Sequence, residues 1–348
     1  MNFLHTSDLH LRDKDSLETL RIVLGTAERE DCGYILIAGD MFDNAQAPLA
    51  LEGAISDMFE KYGGFIYIIP GNHDLGFLKG IERLSKNSEV LNTGSFFLER
   101  EMDGVELWGV PYKDKTEFSD IGKIPADPGN SVVMLHGSFY DNKFFYGMDE
   151  KKYMPVFMEE IDGLCRYTAM GHYHGAREWK TRTTTAVYPG APAVTSSADL
   201  GRRAVYVTGS DWQTRRIDLP VEYMHAVDLA VNIGDNAASV PEKLEALLAS
   251  VEDRDRARLI VRVRGTMPPS FTSADTLKRV VEDTLNRSKI KYEPVSMEGV
   301  TAIAPGLTGH SFVESLMREI ELTAPEKGLN PTEVKMYAIE RLNSMFVK

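Results

Sequence analysis

The chain has 348 residues, enough for two domains or for one large domain with a smaller attachment. Hydrophobic residues make up 43% and charged residues 26%, an ordinary globular composition that excludes a disordered or fibrous chain. The net charge of −13 argues against a surface built throughout to neutralise phosphate, and apolar runs such as "GYILIAG" and "FIYIIPG" are too short to cross a bilayer.

Residues 2–7, "NFLHTS", read as a strand. "SLETLRIVLGTAERED" reads as an amphipathic helix, with Leu17, Leu20, Ile22 and Leu24 near helical spacing. "YILIAGD" is an apolar strand, and "PLALEGAISDMFEKY" is a helix opened by Pro48. "FIYIIPGNHD" is a third apolar strand. Strands alternating with helices predict parallel pairing with both sheet faces covered. After residue 94 the elements become shorter: "FFLER", "VELWGVP", "SVVMLHG", "YTAMGH", "TAVYPGAP", "RRAVYVTG" and "QTRRIDLP" predict a second, mixed sheet. A different rhythm begins at "YMHAVDLAVNI". A helix over "VPEKLEALLASVED", a strand "RLIVRVRG", a helix "SADTLKRVVEDTLNRS" and two final helices near 311–321 and 331–346 follow. The expected domains are therefore 1–222 and 223–348. The first residues, "MNFLHTSDLH", lack the basic and apolar regions of a secretory signal. Cys32 and Cys165 sit in no ligand or redox spacing, so buried thiols and a cytoplasmic location are expected.

Five short segments lie at the ends of apolar runs: "SDLH" (Asp8, His10), "GDMFD" (Asp40, Asp43), "GNHD" (Asn72, His73, Asp74), "LHG" (His136) and "GHYH" (His172, His174). Asp8 to Asp40 spans thirty-two residues and Asp40 to Asn72 another thirty-two, about one strand–helix–strand unit each. Such units place their strand ends along one sheet edge, where ligands bind. Residues two apart on an extended strand share a face, so His172 and His174 can aim at a common point. The plain alternative is a polar turn. Five of the eight histidines fall in these segments, and a mixed oxygen and nitrogen set without thiolate suits Mn²⁺, Fe²⁺ or Zn²⁺.

The ordered set D-x-H, GD-x-x-D, GNHD, a lone H after a strand and GH-x-H resembles the calcineurin-like metallophosphoesterases over roughly residues 1–215. The resemblance implies a four-layered αββα sandwich with a smaller C-terminal α/β capping domain and two divalent metal ions, Mn foremost. By position, Asp8, His10, Asp40 and His174 would hold the first ion. Asp40, Asn72, His136 and His172 would hold the second, with Asp40 shared. The resemblance gives His73 the scissile phosphate and the leaving oxygen, and Asp74 would orient that imidazole. Asp43 is expected to stabilise its loop rather than bind metal. His5 is expected in the core or behind the ligands, His225 and His310 as structural, and Tyr173 as packing.

"YTAMGHYH", "VYPGAP" and "GRRAVYV" look like the DNA-repair branch of that family, that of the SbcD-like nuclease subunits. This implies a Mn²⁺-dependent DNA exo/endonuclease, with DNA, an SbcC-type coiled-coil ATPase and a second copy of the chain as partners. Arg177, and Arg258, Arg262 and Arg264 on one face of a strand, are candidate phosphate contacts. For the three-arginine face, a solvated surface paired with nearby acids is the preferred reading. "REWKTRTTT" is a second basic candidate. The chain departs from the family at Leu11 and Arg12, where glycine often follows D-x-H, and at Ala191, where serine often follows PG. A small-molecule phosphodiesterase or phosphatase, and a non-catalytic DNA-binding subunit, are the competing readings.

Overall fold

Three apolar runs, each buried on both faces, lie in parallel at the centre of the first sheet. In a computed structural model, which describes all residues except 79, 93–97, 122–123, 125, 141–152, 269, 302–310 and 347–348, its strands run Thr214–Asp218, Ala204–Thr208, Phe3–Thr6, Tyr34–Ala38, Phe65–Ile69 and Ser88–Val90. The last four are mutually parallel and the first two antiparallel. Alternation divides each run between two environments. Leu4, Ile35, Ile37, Ile66 and Ile68 meet helices Leu17–Arg29 and Ala47–Tyr62 on the outer face. Phe3, Leu36, Tyr67 and Ile69 face inward. The second helix stops at Gly63, whose φ of 74° lets the chain leave through the left-handed region.

The second sheet is mixed, in the order Arg177–Lys180, Thr185–Tyr188, Tyr167–Gly171, Ser131–His136, Val105–Val110 and Leu98–Met102. Its inner side chains, among them Leu107, Val132, Met134, Tyr167, Ala169 and Val187, pack against those of the first sheet. Trp108, Val133, Leu135, Met170 and Tyr188 face outward, under the 3₁₀ turn Phe118–Ile121 and the one-turn helix Met158–Ile161. This is the four-layered α/β sandwich. Among the described residues its layer over the second sheet is made of short pieces rather than long helices. The strand expected at 96–100 lies partly outside the described residues. Ser88–Val90 and Arg177–Lys180 are edge strands with no apolar run to announce them.

Residues divide into two units, Met1–Tyr223 and Met224–Lys348. In the second, Ala257–Thr266 lies between Tyr223–Val231 on one side and Lys291–Tyr292 and Ser296–Thr301 on the other. Leu259, Val261 and Val263 are buried while Arg258, Arg262 and Arg264 take the opposite, more open face. Helices Ser239–Ala249, Ala274–Ser288, Ser311–Thr323 and Pro331–Phe346 complete the unit. His225 lies within Tyr223–Val231, and His310 lies outside the described residues. Among the described residues no helix is long and apolar enough to cross a membrane.

His5 is wholly buried between the sheets, its Nδ1 3.0 Å from the Tyr167 hydroxyl. Burial drives its pKa down from 6.5 to about 3. An unfolded histidine takes its proton near 6.5, so between 6.5 and 3 the unfolded chain binds one proton more. The stability His5 contributes is complete above that window and is lost as pH falls through it. The expected slope is about 1.4 kcal/mol per pH unit. Denaturant unfolding of His5→Gln across this window will show an acid limb shallower by that amount.

Candidate metal centre

The strands Phe3–Thr6, Tyr34–Ala38, Phe65–Ile69, Ser131–His136 and Tyr167–Gly171 deliver the five segments to one edge of the sandwich. Four of the residues concerned, Asp8 (φ 53°), His10 (φ 45°), Asp40 (φ 50°) and His172 (φ 118°), have positive φ. Non-glycine residues rarely adopt such angles, and they cluster where a side chain must be aimed against backbone preference. Main-chain bonds hold the turns: Asp8 N–H donates to Gly39 O, His10 N–H to Asp40 O and Leu11 N–H to Met41 O. Leu11 is fully buried in the outer core, which accounts for an apolar residue where the family often has glycine.

The glycines of the motifs are spacers. A Cβ on Gly39 would lie 2.1 Å from His136 Nδ1, one on Gly71 2.1 Å from Asp40 Oδ1, and one on Gly171 1.8 Å from the Ala38 carbonyl oxygen. Each glycine lets a neighbouring segment bring its donor group inward.

The donor atoms converge in two overlapping sets. Ligand atoms of Asp8, His10 and His174 lie within 4.8 Å of one another, as do those of Asp8, Asp40 and His136. Nε2 of His10 and Nε2 of His174 are 3.1 Å apart. Asn72 Oδ1 lies 2.9 Å from His136 Nε2 and 3.2 Å from His172 Nδ1. Asp40 Oδ2 is 3.4 Å from His136 Nε2. Asp8 therefore belongs to both sets, and Asp40 belongs to the second while lying within 4.8 Å of His10 in the first. Both Asp8 oxygens accept the His172 main-chain N–H, at 3.1 and 3.2 Å.

Tautomers follow from the far side of each ring. His136 Nδ1–H donates to the Ala38 carbonyl at 2.9 Å, leaving Nε2 for the centre. His10 turns Nδ1 toward Asp43, whose Oδ1 is 3.6 Å away, beyond a hydrogen bond. Without a cation, protons must hold such a cluster together. Burial opposes charge on His136, yet the Asp40 carboxylate outweighs it and lifts that imidazole to about 9. Burial likewise opposes charge on Asp40, and His136, the His73 amide and His10 outweigh it and keep its carboxyl below the usual range. Burial lowers His10, whereas at His174 the Asp199 and Asp8 carboxylates outweigh burial and raise it. Convergent nitrogen and oxygen lone pairs with no thiolate fit divalent cations of the Mn, Fe or Zn type.

His73 is exposed at the mouth, its ring centroid 5.0 Å from that of His10. One of its ring nitrogens lies within 4.8 Å of ligand atoms of His10 and Asp40. Its main-chain N–H donates to Asp40 Oδ1 at 2.9 Å. Asp74 corrects an expectation. It does not orient the His73 ring, because adjacent side chains diverge and its two oxygens accept the amides of Met41, Phe42 and Gly71 at 3.0, 3.0 and 3.1 Å. Burial, reinforced by Asp40, raises Asp74 to about 6 against the pull of those three amides. Its place is to tie two motif loops together. Tyr173 packs on the outer cluster with its ring 5.2 Å from that of Tyr188.

Arg177 begins its edge strand opposite Tyr188, three residues after His174. The other three arginines belong to the second unit. Arg258 Nη1 is 3.0 Å from Glu293, Arg262 grips Asp228 through Nε and Nη2 at 2.9 Å each, and Arg264 Nε is 3.8 Å from the same Asp228. The ion-paired face is what these distances describe.

Sequence reasoning passes over Asp199, Thr195 and Arg203, all of which reach His174. "GRR" is visible as part of the family pattern, but nothing in its spacing ties it to a histidine twenty-nine residues earlier.

A two-sheet α/β sandwich with acid and imidazole groups converging at its strand ends defines a metal-dependent phosphoesterase. A profile described as calcineurin-like phosphoesterase matches residues 1–188, more than half of the chain, and the chain belongs to that family. It is 25% identical over 287 residues to the uncharacterized metallophosphoesterase YhaO of Bacillus subtilis, covering 73% of this chain and 67% of that one. It is 20% identical over 295 residues to the DNA double-strand break repair protein Mre11 of Sulfolobus acidocaldarius, covering 77% and 76%. Among solved structures it is similar to a dimetal phosphatase from Danio rerio, with 8% identity, 60% and 91% coverage and a TM-score of 0.39.

Gly71→Ala tests the spacer role. The added methyl has to displace Asp40, so metal content measured by mass spectrometry should fall, and stability should drop by about 1–3 kcal/mol.

Proposed function

We propose that the chain is a dinuclear-metal phosphodiesterase, and that its substrate is DNA, cut exo- or endonucleolytically in a repair reaction with Mn²⁺ as the preferred ion. The observation that carries the reading is the pair of donor sets that share Asp8 at a strained strand edge, with Asp40 in one set and within 4.8 Å of His10 in the other. The similarity to Mre11 supports the choice of DNA. Two bound dications would supply the positive charge that acidifies an attacking water and clamps the phosphate oxygens for in-line displacement.

The chain's own residues do the rest. Asp8, His10, Asp40 and His174 would hold one ion, and Asp40, Asn72, His136 and His172 the other. Asn72 contributes a neutral oxygen, which limits the negative charge facing an anionic substrate. His73, exposed at the mouth, is placed to reach a phosphate and to give a proton to the departing oxygen. An SbcC-type ATPase and a second copy of the chain are the proposed partners.

A second reading, a small-molecule phosphodiesterase or phosphatase, draws on the net charge of −13 and on the ion pairs that occupy Arg258, Arg262 and Arg264. If that arginine face meets DNA, replacing both Arg262 and Arg264 by Ala should make DNA binding less sensitive to salt. The slope of log affinity against log salt should fall by about one for each phosphate that is no longer neutralised. An unchanged slope identifies a solvated face.

Labelled DNAs and an aryl phosphodiester assayed in Mn²⁺ test the main reading. Wild type is expected to cleave both, and Asp40→Ala to lose both activities together with its metal. His73→Gln should keep its metal and lose about 10²–10⁴-fold in turnover. Failure to cut any DNA form, beside rapid turnover of a small phosphoester, selects the second reading.

A further inference from the structure

We infer that Asp199 is a positioning residue for His174, acting directly and through Thr195, and that residues 189–203 form a strap that holds this histidine as a metal ligand. The inference rests on the metal reading above. His174 lies beyond the end of the Tyr167–Gly171 strand, and its side chain is 30% exposed, so the sheet itself does not fix its ring.

The strap does so from two sides. On the ring, Nδ1 lies 2.8 Å from Thr195 Oγ1 and 3.3 Å from Asp199 Oδ1. The Thr195 hydroxyl donates to Asp199 Oδ2 at 2.7 Å. A hydroxyl has one proton, so Thr195 faces Nδ1 with a lone pair and must accept. Nδ1 therefore carries the hydrogen, and the Nε2 lone pair points to the centre beside His10. Asp199 Oδ2 also accepts the amides of Thr195 and Ser196 at 2.8 and 2.9 Å, and the carboxylate is nearly buried.

On the backbone, the His174 carbonyl accepts Arg203 Nη1–H at 3.0 Å and the Ala191 amide at 3.2 Å. The Arg203 guanidinium is buried and also donates to the carbonyls of Leu200 and Gly201. Gly190 has a φ of 77°, and a Cβ there would come within 2.5 Å of the same His174 oxygen. "PG", Asp199 and Arg203 thus serve one residue, Asp199 at its ring and the other two at its main-chain carbonyl. Two other ligands differ. His136 rests on a main-chain carbonyl, and His10 faces Asp43 only at 3.6 Å. His174, by contrast, has a buried carboxylate within reach of Nδ1.

A carboxylate behind a metal-bound imidazole fixes its tautomer and strengthens it as a ligand, and its removal typically costs 10–100-fold in metal affinity. The full chain, stripped of metal, is titrated with Mn²⁺ and free Mn²⁺ is read by electron paramagnetic resonance, for wild type, Asp199→Ala, Asp199→Asn and Asp199→Glu. Asp199→Asn keeps a carbonyl for the strap amides but presents an NH₂ to Nδ1, which favours the wrong tautomer. It should weaken one Mn²⁺ equivalent about 10–100-fold, at least as much as Asp199→Ala does, although it preserves the strap better. The other equivalent should be nearly unchanged, and Asp199→Glu should recover part of the affinity. Two outcomes overturn the inference alone: variants that bind two Mn²⁺ as wild type does, or affinity losses that merely follow the metal-free melting temperature. A wild type that binds no Mn²⁺ overturns the metal reading and this inference with it.

Discussion

Buried lone pairs and carboxylates repel one another, and the strand edge of this protein forces them together. Nitrogen faces nitrogen at 3.1 Å between His10 and His174, and Asn72 faces two imidazoles. In a partly buried site such a grouping is costly unless positive charge lies among its members. The opposed shifts of Asp40 and His136 express the same demand in protons. Phosphoester chemistry is a use to which that demand is put, since cations that satisfy the ligands also attract and polarise a phosphate.

The surrounding structure exists to sustain this crowding. Four left-handed residues and three glycines at the ends of central strands are local costs that a stable two-sheet core offsets. The core is apolar on both faces of both sheets, so the strand ends behave as fixed posts. Asp74 shows how the posts are tied: one buried carboxylate joins the loop after Tyr34–Ala38 to the loop after Phe65–Ile69 through three amides.

Much of this is legible in the residues. The continuous apolar runs and the helical patterns predict the central strands and the long helices, because both are set by burial of neighbouring side chains. The spacing of the first three motifs points to one edge because parallel strand units repeat with a nearly constant length, and the other two also end apolar runs. Short edge strands such as Arg177–Lys180 escape, since their pairing depends on a partner rather than on their own hydrophobicity. The role of Asp74 escapes because chain adjacency to His73 says nothing about where diverging side chains point. Asp199 and Arg203 are hidden for a related reason: their partner is twenty-five or more residues away, across a loop whose path no periodicity encodes. The alternation of the arginine face can be seen in its own strand, but its acids come from other strands and loops.

Cys32 and Cys165 are both free and buried, and burial pushes their thiols up to about 12 and about 11. Only a minute fraction of either is thiolate at neutral pH, and the thiolate is the species that alkylating reagents and oxidants attack. Both thiols should therefore react slowly with maleimides while the chain is folded. A single cysteine substituted at Leu49, which is 83% exposed, becomes a unique handle for a fluorophore or spin label without removal of the native pair.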